Sequence, residues 1–167
     1  MIKETTGTDT PIENIPEELA ERPQWVCWRY EERDEKLTKV PYQPSGPYTL
    51  DQKASTADLM TWGTFEAAYR ALDNEVRHYD GIGFVFSSAD PFCGIDLDKC
   101  RDPQTGDIAP WAMEIISRVG DGYVEVSPSG TGIHIITQGS VRGGGMRKGP
   151  VEMYSRGRYF TITGHAL

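Results

Sequence analysis

The hydrophobic and polar positions of this chain alternate in short bursts, broken repeatedly by Gly, Pro and Asp. Residues 15–21 read as a short helix, with Pro16 in its first turn and acids following at the positive end of the helix dipole. Residues 24–30 (Gln-Trp-Val-Cys-Trp-Arg-Tyr) are rich in aromatic and β-branched residues and predict a strand. The charged stretch Glu31 to Lys36 predicts a hairpin loop, and residues 37–42 the return strand, with Pro41 near its end. Trp62, Phe65, Ala68, Tyr69 and Leu72 recur at helical spacing, with Thr61 as an N-cap. Residues 81–86 are almost wholly apolar and predict a strand buried on both faces. Residues 92–98 predict the adjacent strand. Trp111, Ile115, Ile116 and Val119 mark the inner face of a further helix, stopped by Gly120-Asp121-Gly122.

The remaining third is strand and turn. Residues 123–127 alternate cleanly, Pro128 to Gly132 form a tight small-residue loop, and residues 133–137 are the next strand. Gly139 to Gly149 is Gly-rich and basic, and reads as a mobile loop. Residues 151–154 and 159–163 predict a last pair of strands joined by Ser155-Arg156-Gly157. The sum is an α+β chain with an antiparallel or mixed sheet and a few helices. Residues 1–11 read as a flexible leader and 12–167 as one core.

Composition narrows the function. No apolar run reaches the roughly 18 residues a membrane helix needs. The N-terminus lacks a signal-peptide core, so a cytoplasmic location is expected, with no membrane partner. Cys27, Cys93 and Cys100 form no CxxC pair, and His78, His134 and His165 offer no ligand spacing. Reduced thiols are expected, and no zinc. The net charge of −8 excludes nucleic-acid binding through the whole surface. It leaves room for a local basic face, because Arg142, Arg147, Lys148, Arg156 and Arg158 stand against a single acid, Glu152.

The candidate chemistry starts with Gly94-Ile95-Asp96-Leu97-Asp98. In a strand, Asp96 and Asp98 project to one face while Ile95 and Leu97 pack behind. Two adjacent carboxylates repel, and a divalent cation relieves them. Hard oxygen ligands suit magnesium or manganese. The same pair in a solvated turn would do nothing. Ser127, Ser129 and Gly130 lie in a loop whose amides and hydroxyls suit an anion, and His134 follows on the next strand. Glu152 sits mid-strand among apolar neighbours, where a carboxylate needs a partner. It either joins Asp96 and Asp98 or faces water or Arg158. Lys148, Arg156 and Arg158 supply the cations a triphosphate requires. Glu125 is a further ligand or an arginine partner, and the role of Lys39 stays open.

These segments together resemble the three motifs of the archaeo-eukaryotic primase superfamily: 94–98, 127–134 and 152–164 (Glu-Met-Tyr-Ser-Arg-Gly-Arg-Tyr-Phe-Thr-Ile-Thr-Gly). The resemblance is strongest to the primase-polymerase domains of phages, plasmids and mobile elements. Residues 23–28, 39–42, 61–65 and 81–86 are similar to the usual lead-in, so it covers residues 12–164. It implies an RRM-like catalytic subdomain packed on a smaller N-terminal α/β unit, with the active site in the cleft between them. It implies template-directed DNA synthesis from nucleoside triphosphates on a single-stranded template and primer. By resemblance, Asp96, Asp98 and Glu152 hold two Mg²⁺ or Mn²⁺ ions, while Ser129, His134 and Arg158 hold the triphosphate. The third acid is Glu, as in the mobile-element branch, where Asp is common elsewhere. Such proteins continue into a helical subdomain and often a helicase, so the chain is expected to be the N-terminal part of a longer one. Two other readings stay open: a non-catalytic nucleotide- or single-strand-binding module on an RRM-like sheet, with Tyr154 or Tyr159 stacking on bases, and a metal-dependent nuclease, which uses the clustered carboxylates but gives no role to the Ser-Gly loop and His134.

Overall fold

The aromatic stretch after Pro23 folds as a long hairpin. The computed structural model describes residues 10–44, 51–73 and 76–167. Strands β1 (Trp25–Arg33) and β2 (Lys36–Tyr42) pair antiparallel from Cys27–Tyr42 to Arg33–Lys36. Only Asp34 and Glu35 turn the chain, both at positive φ (49° and 60°), the backbone that two-residue hairpins favour. The expected loop from Glu31 to Lys36 is therefore mostly strand. Its charged side chains lie at an exposed hairpin end, where they cost little as strand residues. Strand β3 (Gly81–Phe86), buried throughout as its composition predicts, lies beside β1, and β9 (Arg158–Ile162) lies beside β3. The order of this four-stranded sheet is β2-β1-β3-β9.

A second sheet has five strands in the order β5-β6-β4-β8-β7. They are β4 (Phe92–Leu97), β5 (Tyr123–Val126), β6 (Ile133–Gln138), β7 (Gly145–Lys148) and β8 (Val151–Tyr154). All these strand pairs are antiparallel, giving an α+β fold. Two expectations need correction. Strands β3 and β4 are neighbours in sequence but belong to different sheets, and so do β8 and β9. At the first crossing the Asp90 carboxylate accepts from the backbone of Ser87 and Phe92 and from Gln24 Nε2, at 2.7–2.8 Å. That network holds a corner between sheets where a hairpin turn would have paired the strands. The stretch expected as a mobile Gly-rich loop forms a 3₁₀ turn at Arg142–Gly144 and then the edge strand β7.

Among the described residues, three α-helices accompany the sheets: α1 (Glu17–Ala20), α2 (Phe65–Leu72) and α3 (Pro110–Val119). Helix α2 starts later than its periodicity suggests, and its N-cap is Thr64, whose hydroxyl accepts from Ala67 N, not Thr61. The preceding residues are already committed. Gly63 exchanges both backbone hydrogen bonds with Trp25, and the Trp62 indole N–H donates to Ser55 O. On α3 the buried residue is Ala112, while Trp111 is exposed at the helix start.

One core lies around the four-stranded sheet and extends to Phe92 and Ile136 of the other. A second joins Ala112 of α3 to Ile95, Leu97, Ile133 and Ile135. Strand β4 is thus covered on both faces, with Ile95 and Leu97 toward α3 and Gly94 and Asp96 toward the other sheet. Gly94 is required there. A Cβ would stand 2.5 Å from the rings of both Phe86 and Phe160, which pack edge to face with centroids 4.9 Å apart. Cys27, Cys93 and Cys100 are buried and form no disulfide, and burial pushes the Cys27 thiol up to about 12. Among the described residues no helix is long and apolar enough to cross a membrane.

Candidate active site

Alternation along β4 sends Asp96 away from α3, and the register of the five-stranded sheet decides what it meets. Asp96 is the Cα partner of His134 on β6 and of Glu152 on β8. His134 is in turn opposite Glu125 on β5, and Glu152 opposite Arg147 on β7. One row across the sheet therefore reads Glu125, His134, Asp96, Glu152, Arg147. Its members touch. His134 Nδ1 lies 3.2 Å from Glu125 Oε1, and Nε2 lies 3.9 Å from Asp96 Oδ1. Arg147 Nη1 reaches Glu152 Oε1 at 2.9 Å, and the Tyr154 hydroxyl donates to Glu152 Oε2 at 2.6 Å.

A cavity of about 230 Å³ lies over this row, between the two sheets. Asp96, His134 and Glu152 line one side, and Lys39, Arg158 and Tyr159 to Thr161 line the other. Burial is the main cause holding the Asp96 carboxyl above the usual carboxylate range. His134 pulls it back, Asp98 and Glu152 push it further, and Lys39 pulls it back. The cavity thus concentrates carboxylates and surrounds them with cations. Asp98 lies just past the end of β4, where its backbone N–H donates to Pro150 O at 2.8 Å. It is close enough to raise Asp96 but does not line the cavity. Among the described residues, no three His, Cys, Asp or Glu side chains are gathered closely enough to hold a metal ion as they stand.

Glu125 is neither an exposed ligand nor an arginine partner. It is fully buried, and its carboxylate accepts from the Tyr123 hydroxyl and from the backbone N–H groups of Thr163 and Gly164 at 2.9–3.1 Å. The remaining contact is His134 Nδ1. The His134 ring rests on Phe160, with centroids 5.0 Å apart. The imidazole is therefore gripped at one nitrogen and one face, which turns Nε2 toward Asp96.

Compared with known proteins, the chain is 37% identical over 156 residues, 89% of its length, to the DNA primase-polymerase of Nitratiruptor phage NrS-1. This similarity supports a phage-type primase-polymerase. The chain spans 20% of the length of that relative. No family model matches the chain.

The other residues expected of a primase-polymerase are distributed around the row. Ser127, Ser129 and Gly130 lie in the β5–β6 turn, where Ser127 Oγ accepts from Gly132 N, and Ser129 Oγ lies 3.1 Å from Ser127 Oγ and 2.9 Å from Thr131 Oγ1. The turn is tied to the chain after Asp98, since Cys100 N and Arg101 N both donate to Thr131 O. It sits at the Asp98 end of β4 and does not line the carboxylate cavity. Arg158 opens β9, lines the cavity and places its guanidinium 4.8 Å from the Tyr154 ring centre. Arg156 lies in the turn before it, outside the cavity. Lys148 is one position from Arg147, so strand alternation turns it to the opposite face. What sequence reading missed is that Arg147 and Tyr154 hold Glu152 and that Glu125 anchors His134; Lys39, whose role was left open, lines the cavity. For Arg147 a signal existed: Gly149-Pro150 as a two-residue turn sets it opposite Glu152.

Proposed function

We propose that this chain catalyses template-directed nucleotidyl transfer from nucleoside triphosphates, as a DNA primase-polymerase. The observation that carries the reading is the register that sets Asp96 between His134 and Glu152 under a cavity walled by Lys39 and Arg158. Asp96, Asp98 and Glu152 would hold Mg²⁺ or Mn²⁺, one or two ions. The donor set suits them: hard carboxylate oxygens, one of them half-buried and raised by burial and by its two acidic neighbours, so that a cation is favoured there. Such an ion, when bound, acidifies a 3′-hydroxyl and neutralises charge on the phosphates.

The chain's own residues supply the rest. Lys39 and Arg158 face the carboxylates from the opposite sheet and bind phosphate oxygens. His134 Nε2, aimed by Glu125 and Phe160, donates to the triphosphate beside Asp96. Arg147 and Tyr154 hold the two oxygens of Glu152 and fix its orientation. Tyr159 and Phe160 line the cavity on the side of Lys39 and Arg158. The Ser127–Gly132 turn, at the Asp98 end, suits the distal phosphates, with Ser129 exposed for that contact. The single-stranded template, the primer and any helicase region belong to the same proposal.

Primer extension with Mn²⁺ or Mg²⁺ tests it. The parent chain should add nucleotides to a primed template, and Asp96→Asn should not. Equal extension by both, or degradation of the primer without triphosphate, rules the reading out.

A further inference from the structure

The four-stranded sheet curls so far that its two edge strands meet. Its order is β2-β1-β3-β9, yet the Tyr159 hydroxyl of β9 donates to Lys39 O of β2 at 2.7 Å. Two glycines of β3 make the room. A Cβ on Gly83 would stand 2.6 Å from the Tyr159 ring, and one on Gly81 2.8 Å from the Trp28 indole nitrogen. The concave face so formed carries Trp28 and Tyr30, two residues apart on β1 and therefore on one side of it. Lys39 joins them there, because it is the Cα partner of Tyr30.

Lys39 is held at two points. Its carbonyl accepts from Tyr159. Its ammonium lies over two rings, with Nζ 5.7 Å from the Trp28 ring centre and 5.9 Å from that of Tyr30. The rings meet edge to face, 5.2 Å apart at 88°, so they present two walls to one cation. Both walls are anchored. Trp28 is buried, and its indole N–H donates to Ile82 O at 3.0 Å. The backbone N–H of Tyr30 donates to the Asp80 carboxylate at 2.7 Å.

A lysine stem is flexible, and an unguided ammonium would spread over many positions. A ring face within about 6 Å attracts the cation, more strongly when water is excluded. Lys39 lines the carboxylate cavity with Asp96 and Glu152, and neither Trp28 nor Tyr30 does. The two rings therefore touch the lysine and not what the cavity holds.

We propose that Trp28 and Tyr30 are positioning residues for this site: the pair seats the Lys39 ammonium so that it meets phosphate oxygens already in place. The phosphate contact rests on the nucleotidyl-transfer reading, while the seat itself needs neither metal nor nucleotide.

Two measurements on the full chain test it. In the free protein, a ¹H–¹³C spectrum reads the ε-methylene protons of Lys39, identified by their loss in Lys39→Met. Over the ring faces they should lie upfield of those of the other lysines, and Tyr30→Leu should move them downfield. Lys39 protons at the common lysine position overturn the proposal. The second measurement is equilibrium binding of a fluorescent nucleoside triphosphate with Mn²⁺. Lys39→Met should weaken it by about tenfold or more, the loss of a charged hydrogen-bond donor. Tyr30→Leu should weaken it roughly 2- to 30-fold, and Tyr30→Phe, which keeps the ring, should stay within about twofold of the parent. In the Lys39→Met background, Tyr30→Leu should have no further effect, whereas a mere packing role would weaken both backgrounds alike. Additive losses, parent-like binding by Tyr30→Leu, or a Tyr30→Phe as weak as Tyr30→Leu overturn the proposal and leave the nucleotidyl-transfer reading intact. A parent that binds no triphosphate while its Lys39 protons lie upfield overturns that reading and leaves the seat standing.

Discussion

Asp96 on β4 and Glu152 on β8 are Cα partners, so two carboxylates stand directly opposite each other on the face that the four-stranded sheet covers. Like charges so placed destabilise a sheet. Burial, Asp98 and Glu152 raise the Asp96 carboxyl against the pull of His134 and Lys39. The folded chain therefore holds this proton more tightly than the unfolded chain. Stability from this group is greatest below the ordinary carboxylate pKa, falls as pH rises to the raised value, and stays lower above it. Asp96→Asn removes that penalty. In chelator its Tm should exceed the parent's at neutral pH, and the gap should close on acidification. Nucleotide incorporation should fall on the order of 10²- to 10³-fold, the loss typical of one group placed on developing charge. A variant no more stable than the parent at pH 7 would contradict the electrostatic account.

Glu125 should behave as a positioning residue. Hydrogen bonds to a charged acceptor contribute about 1.5–3 kcal/mol, against 0.5–1.5 for neutral ones. Glu125→Gln keeps the shape but loses the charge, and its amide must face at least one N–H donor. Urea denaturation should show a loss of about 2 kcal/mol. Because His134 Nε2 would no longer be aimed, kcat should drop up to about 10²-fold with a smaller change in triphosphate KM. A rise in KM alone would mean that His134 does not depend on this anchor.

Much of the strand content is legible in the sequence. The apolar run 81–86 is β3, and the alternation at 123–126 is β5. What could not be read was parity and partnership. Glu152 and Asp96 are far apart in the chain, and only the β4–β8 register brings them opposite. The choice between Arg147 and Lys148 turns on a single residue of register, because one step reverses the face. The assignment of β3 and β4 to separate sheets depends on the Asp90 network, whose Gln24 partner is remote in sequence. Glu125 reads in the sequence as a further ligand or an arginine partner. Its burial follows from Thr163 and Gly164, which cross it near the end of the chain and bring two backbone donors.

Gly94 tests whether the aromatic layer shapes the site. It shares the Asp96 face of β4, and a Cβ there meets Phe86 and Phe160, the ring that also supports His134. Gly94→Ala should cost about 1–3 kcal/mol through overpacking, read by urea denaturation. Since Phe160 must shift to admit the methyl group, the variant should also lose incorporation. An alanine variant of parental stability would show that the layer yields without cost.

Arg158 separates charge from geometry at the cavity mouth. Its guanidinium lies over the Tyr154 ring, and the Tyr154 hydroxyl holds Glu152, so one side chain links the phosphate side of the cavity to the carboxylate side. Lysine keeps the positive charge but neither stacks as a plane nor offers two parallel donors. Arg158→Lys should therefore raise the triphosphate KM by about tenfold, equivalent to ~1.4 kcal/mol, while kcat changes less. Tyr154→Phe should do the reverse. The ring that supports Arg158 remains, but Glu152 loses one of its two partners and keeps only Arg147. Its KM should stay near the parent's and its kcat should fall. Steady-state primer extension on the two variants reads both parameters. If both change KM alone, Tyr154 acts only as a platform for Arg158, and Glu152 is oriented without it.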